Sequence, residues 1–228
     1  MKRSEINAHI ARAEADFRRA GLALPPFAAW TADDWAAAGE AARGLVDTGC
    51  GWDVTDFGGG DFARRGLLLF TARNGRPEGG DGNRPYAEKI MISRRDQLTP
   101  MHRHVHKVED IINRASLDAG ATLGIKLFEA GPDGAIDKTR VVVAHLDGLV
   151  RHLDPGTVVH LRPGESITLF PGTFHAFWGE GGDVVIGEVS SVNDDATDNY
   201  FAEPLDRFSS IEEDEPVTRP LVNDRRLP

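Results

Sequence analysis

The 228-residue chain carries 36 acidic and 26 basic side chains, a formal charge of −10, and no run of Lys or Arg, which argues against a nucleic acid or an anionic membrane surface as its partner. Its single cysteine, Cys50, excludes an internal disulfide and suits a reducing compartment. No window approaches the ~20 apolar residues that span a bilayer, and the amino terminus lacks the apolar core of a secretory signal, so a soluble cytoplasmic protein of one well-buried domain is expected.

Ser4 to Ala20 set Ile6, Ile10, Ala13 and Phe17 at helical spacing, which predicts an amphipathic helix with Ser4 as N-cap and Gly21 as its stop. Pro25 and Pro26 then impose an extended connection. A second, alanine-rich helix is predicted from Thr31 or Ala32 to about Arg43, capped by Thr31, with Trp30 and Trp35 as packing anchors. Cys50 reads as a small buried apolar residue rather than a nucleophile. From Gly51 the pattern changes to short β-type runs. Strands are predicted at Gly66 to Ala72, Tyr86 to Ser93, Thr99 to His104, Lys107 to Asn113, Ala121 to Glu129 and Arg140 to Leu146. Others follow at Gly148 to Leu153, Thr157 to Leu161, Ser166 to Phe170, Phe174 to Trp178 and Val184 to Ser190, many of them parted by Gly and Pro turns. Many short strands without intervening helices indicate an all-β antiparallel sandwich or barrel. The chain divides into a helical extension at 1–50, a β-barrel at 51–203 and a tail at 204–228, the tail serving as a surface wrap or partner arm.

Within MHRHVHKVEDIINR (Met101 to Arg114), His102 and His104 are two apart, so on a strand both imidazoles project from one face. A bend after His104 would bring Glu109 to the same point, and two nitrogens with one oxygen suit a divalent ion of intermediate hardness. His175, after the turn-forming Pro171-Gly172 pair, is the best fourth ligand. Such a set would bind manganese, iron, cobalt or zinc. His106 shares strand parity with His102 and His104, whereas His9, His145, His152 and His160 lack comparable company. The run Asn193 to Asn199 lacks the glycine and terminal glutamate of a calcium loop and reads instead as a polar rim.

The HxHxxxxE pattern followed by a distant GxxH resembles the two motifs of the cupin superfamily, small β-barrels that hold a metal inside. Ser116 stands where the first motif usually has glycine, and Gly179 where the second usually ends in asparagine. The wider sequence resembles the D-lyxose ketol-isomerases, from MKRSEIN through WDVTDFG (Trp52 to Gly58), YAEKIMI (Tyr86 to Ile92), KVEDIINR (Lys107 to Arg114) and GEVSSVNDDATDN (Gly187 to Asn199). That resemblance implies a cupin-type jelly-roll barrel, with His102, His104, Glu109 and His175 on Mn²⁺ and open positions for two adjacent sugar oxygens. It also implies interconversion of D-lyxose with D-xylulose, and of D-mannose with D-fructose, through a cis-enediol.

An aldose–ketose isomerase needs a base for the C2 proton. Glu188 lies on an apolar strand with Ile186 and Ser190 on its face, where a charge is costly unless it meets a polar cavity. Lys89 and Lys107 are the cations placed to stabilise an enediolate oxygen. Asp194 is the expected rim residue for sugar hydroxyls, and Trp178 reads equally as an apolar wall for the sugar or as core packing. Two rival readings are a cupin dioxygenase using iron and O₂, and a non-catalytic sugar-binding regulatory cupin. Because open sheet edges need cover, a homodimer is expected.

Overall fold

The amino-terminal apolar stripe folds as helix α1 (Arg3–Arg19) in the computed structural model, which describes residues 1–80, 83–194 and 197–225. Its buried face carries Ile6, Ile10, Ala13 and Phe17, each large member contributing about 1.5–3 kcal/mol by leaving water. The helix begins before the expected cap. Lys2 is the N-cap, and Ser4 instead donates its N–H and hydroxyl to Asp214 at 2.9 and 2.8 Å. Gly21, at φ +74°, ends it as expected. The second helix is shorter than its alanine content suggests. Thr31 caps α2 (Ala32–Ala38), accepting the Asp34 N–H, but Gly39 at φ +48° leaves the helical basin. A 3₁₀ turn (Gly39–Ala42) and a separate helix, α3 (Arg43–Asp47), follow.

The strands are β1 (Gly51–Thr55), β2 (Leu67–Arg73), β3 (Tyr86–Ser93), β4 (Thr99–His104), β5 (Glu109–Ser116), β6 (Thr122–Ala130) and β7 (Ile136–Asp137). Continuing along the chain are β8 (Val142–Leu146), β9 (Leu149–Leu153), β10 (Val158–Leu161), β11 (Ser166–Leu169), β12 (Thr173–Glu180), β13 (Val184–Ser191) and β14 (Asn199–Phe201). They form two antiparallel sheets, ordered β1-β2-β3-β13-β5-β11-β8-β9 and β10-β6-β12-β4-β14, with β7 beside β6. The sheets curl around a shared apolar interior to which Leu69, Met91, Ile111 and Ile186 of one and Leu123, Ile125, Leu127 and Phe177 of the other contribute. This is the expected all-β antiparallel barrel with a helical extension.

A second apolar layer explains why GLLLF runs without alternation. Leu67 and Leu69 enter the barrel interior, while Leu68 and Phe70 point outward into a cluster with Ile6, Ile10, Phe17, Trp52 and Val185. Strand β2 is therefore buried on both faces. The tail wraps onto the same side: Arg3, 1% exposed, is held by Glu213 and Asp224, Asn7 donates to Glu215 and Pro216, and Leu221 bridges Trp52. A buried guanidinium requires such paired acceptors. Cys50 is a free, buried thiol, and Trp30 packs edge-on to Trp35 at 4.8 Å, both as expected from the sequence.

Candidate active site

Strands β4 and β12 pair with His102 opposite His175, and their rings lie 4.1 Å apart between centroids. His104, two residues along β4, brings its ring to 5.3 Å from His102 and 5.6 Å from His175. One nitrogen from each of the three lies within 4.8 Å of the others, so the group could hold a metal ion. Nδ1 of His102 is 2.8 Å from the Pro100 carbonyl, and Nδ1 of His175 is 3.1 Å from that of Thr173. A carbonyl oxygen only accepts, so each Nδ1 carries the proton and each Nε2 keeps its lone pair. His175 Nε2 and both His104 nitrogens are buried without an aligned hydrogen bond, and a cation would satisfy one nitrogen of each ring. Burial, with His175 and His104 alongside, holds His102 well below the usual imidazole range, in the neutral form that ligation requires.

Glu109 reaches the same point because the chain bends after β4. Asp198 makes the bend, accepting the N–H groups of Val105 and His106 on Oδ1 and that of Lys107 on Oδ2 at 2.7–2.9 Å. With those donors taken, β5 starts at Glu109 rather than at Lys107, and His106 turns out to the exposed surface instead of joining its neighbours. Oε1 of Glu109 then lies 3.2 Å from His104 Nε2 and 3.0 Å from His175 Nε2.

Behind this group runs a buried chain of alternating charge. Strand β13 sits between β3 and β5 and sets Glu188 across from Lys89 and Ile111. Lys107 Nζ stands 2.6 Å from Glu109 and 2.9 Å from Glu188, and Lys89 Nζ stands 3.4 Å from Glu188. All four side chains are almost fully buried, which is tolerable only because each charge has opposite neighbours. Burial opposes ionisation of Glu109, but Lys107 and His104 outweigh it and hold the carboxyl well below its usual range. Glu188 is likewise lowered, burial being outweighed by Lys107 and Lys89. Lys107 is raised despite burial by the two glutamates. Asn193 completes the chain, its Oδ1 accepting from Lys89 at 2.6 Å.

Lys89, His102, His104, Lys107, Glu109, His175 and Glu188 all line one cavity inside the barrel. Asp194 does not; its carboxylate accepts the Thr197 N–H at 3.2 Å. Its neighbours Asp195 and Ala196 in the polar run lie outside the described residues. Trp178 is also elsewhere, because strand parity turns Phe177 inward and leaves Trp178 on the outer face over Gly124. His9 packs tilted against Phe62 and His145 edge-on against Phe170, and neither lines the cavity. The lining and supporting residues that the sequence did not single out include Phe57, Phe201, Asp198 and Arg207, whose guanidinium is 2.7 Å from Asp53. Asp53 and Phe57 fall within the WDVTDFG stretch and Asp198 within the polar run, whereas nothing local in the tail marks Arg207.

The sequence model of the family described as D-lyxose isomerase matches residues 1–225. A protein named D-lyxose/D-mannose isomerase from Escherichia coli O157:H7 is 44% identical over 229 residues, covering 99% of each chain. Another of that name from Serratia proteamaculans is 47% identical over 219 residues, covering 95% of this chain and 94% of its own. Among solved structures, the fold is similar to an Acinetobacter L-ribose isomerase in complex with L-ribose, with TM-score 0.59 and 14% identity over 92% of this chain and 98% of that one. A Geodermatophilus obscurus L-ribose isomerase aligns with TM-score 0.58 and 15% identity over 93% and 98%. At those identities the structural likeness concerns the fold alone.

Proposed function

The chain belongs to the D-lyxose isomerase family, and from that premise we propose that it is a metal-dependent aldose–ketose isomerase acting on D-lyxose and D-mannose to give D-xylulose and D-fructose. The observation that carries this reading is the joining, in one buried cavity, of a three-histidine group to the Glu109–Lys107–Glu188–Lys89 chain. The first is equipped to hold a cation and the second to move a proton beside it.

His102, His104, His175 and Glu109 would hold the metal, and the buried, unaligned nitrogens of His104 and His175 fit that use. Three imidazoles and one carboxylate suit Mn²⁺, with Co²⁺, Fe²⁺ or Zn²⁺ able to replace it. When bound, the ion supplies Lewis-acid polarisation of a carbonyl and its adjacent hydroxyl. Glu188, ionised and outside the ligand group, takes the proton from C2 of the open-chain aldose and returns it at C1 through a cis-enediol, while the O2 proton passes to O1. Lys107 and Lys89 are the donors that stabilise negative charge on the enediol oxygens as it develops. Asp194, though off the cavity wall, is kept as a rim contact for sugar hydroxyls approaching from outside. A buried acid–base chain of this kind supports proton transfer over the rival oxygenase reading. It also supports catalysis over mere sugar binding.

We place the enzyme in the cytoplasm as a homodimer. Its free, buried cysteine suits a reducing compartment, no helix among the described residues is long and apolar enough to cross a membrane, and the exposed edge strand β9 calls for cover. The functional test incubates Mn²⁺-loaded protein with a panel of aldoses and ketoses while following oxygen. Interconversion of D-lyxose with D-xylulose without oxygen uptake is the expected result. Oxygen consumption, or binding of sugar with no conversion, would overturn the proposal.

A further inference from the structure

One wall of the cavity is built by residues that the proposed chemistry leaves unused. Phe57 lines it as a residue only 3% exposed, although its backbone has φ +54°, a region that bulky L-residues rarely adopt. Such strain persists only where the surroundings over-determine it. Here they do. Thr55 Oγ1 accepts the Phe57 N–H at 2.9 Å, and the Asp56 carboxylate accepts the N–H groups of Gly58 and Gly60 at 3.1 and 3.0 Å. The tail then latches this turn from outside. Ser209 Oγ accepts the Asp56 N–H at 2.7 Å and donates to Asp56 Oδ1 at 2.5 Å, while the Thr55 hydroxyl donates to the Arg207 carbonyl at 2.9 Å.

The ring so held meets Phe201 edge-on at 5.7 Å, and Phe201 in turn lies 5.8 Å from His102. Phe57 therefore stands one aromatic ring farther from the histidine group than the side chain that touches it. A sugar whose O1 and O2 sit at the histidines extends each further carbon away from them, into the cavity that this second ring helps to line. We propose that Phe57 is a specificity-determining residue for sugar chain length, its latched ring limiting the room for the carbons beyond those that react. The inference rests on the functional reading above. It gives the strained turn and the tail latch a purpose, because a ring free to swing would set no limit.

The test compares kcat/KM for D-mannose with that for D-lyxose in Mn²⁺-loaded parent, Phe57→Ala, Phe57→Leu and Ser209→Ala proteins. Room for one more carbon in a tight pocket is worth roughly ten-fold or more, so the mannose-to-lyxose ratio should rise by that order in Phe57→Ala and by less in Phe57→Leu. Ser209→Ala, which loosens the latch without altering the cavity lining, should move the ratio the same way. Phe57→Leu keeps a buried apolar side chain and preserves the test if the alanine variant fails to fold. Ratios that fall, or that stay within about two-fold of the parent in every folded variant, would overturn the inference while leaving the isomerase reading intact. A parent that converts neither sugar would overturn both.

Discussion

Glu109 and His106 stand three residues apart in one motif, and the structure gives them opposite settings. The Glu109 carboxylate is buried between His104, His175 and Lys107, whereas His106 is exposed and engaged through its backbone N–H. Glu109→Gln should therefore weaken Mn²⁺ binding while the protein still folds at high metal, and His106→Ala should bind like the parent. Equal losses in a metal titration would mean that the wrong member of the motif has been assigned to the ion. The same buried groups fix how stability depends on pH in the metal-free protein. His102 has a lowered folded pKa, so the unfolded chain takes up its proton first and stability falls as pH drops below about 6.5. Glu109 and Glu188, also lowered, add a loss as pH falls from about 4.5. Lys107 has a raised folded pKa, so its contribution is complete below about 10.5 and is lost as pH rises beyond that. Thermal midpoints should form a plateau between about pH 7 and pH 10 with a decline on both sides; a midpoint still rising from pH 7 down to pH 5 would contradict these assignments.

Among the elements, the turn between β4 and β5 depends most on one side chain. Asp198, a buried residue, satisfies three successive backbone N–H groups with its carboxylate, and its Oδ2 lies 4.0 Å from His104 Nδ1. Hydrogen bonds to a charged acceptor contribute about 1.5–3 kcal/mol each, so Asp198→Ala should destabilise by at least ~2 kcal/mol in a denaturant titration. It should also weaken metal binding about ten-fold, as losses of ligand-supporting groups do. Asp198→Asn, which keeps one oxygen, should be milder, and unchanged metal affinity in Asp198→Ala would make the turn dispensable to the site. The bend itself was legible, because His102, His104 and Glu109 can converge only if the chain turns after β4. Its cause was not. A carboxylate 91–93 residues away in sequence leaves no local sign that it will cap this turn, and nothing local marks Arg207 of the tail either. Where the signal was local it read well: Tyr86–Ser93 and Thr99–His104 have the predicted bounds. The second helix was overrun because alanine content says nothing of the left-handed Gly39 that breaks it.

At the scale of the whole molecule, two apolar layers share one sheet. The inner layer shapes the cavity, and the outer one fastens α1 and the tail to the opposite face. The inner layer was implied by strand alternation and by the family resemblance, whereas the outer one shows in the sequence as the apolar stripe of α1 and the unbroken GLLLF run. The tail's role follows from this architecture, since the segment that covers the outer layer also reaches the turn bearing Phe57. Everything proposed for the cavity nevertheless turns on the division between a group that holds an ion and a group that moves a proton. Glu188→Gln tests that division most directly, because it keeps the side chain's shape while removing its basicity, and a general base contributes ~10²–10⁴-fold. Turnover of D-lyxose, and exchange of its C2 hydrogen with solvent deuterium, should both collapse by at least about a hundred-fold while metal content stays at the parental value. Retention of more than about a tenth of parental turnover, or loss of the metal itself, would contradict that division.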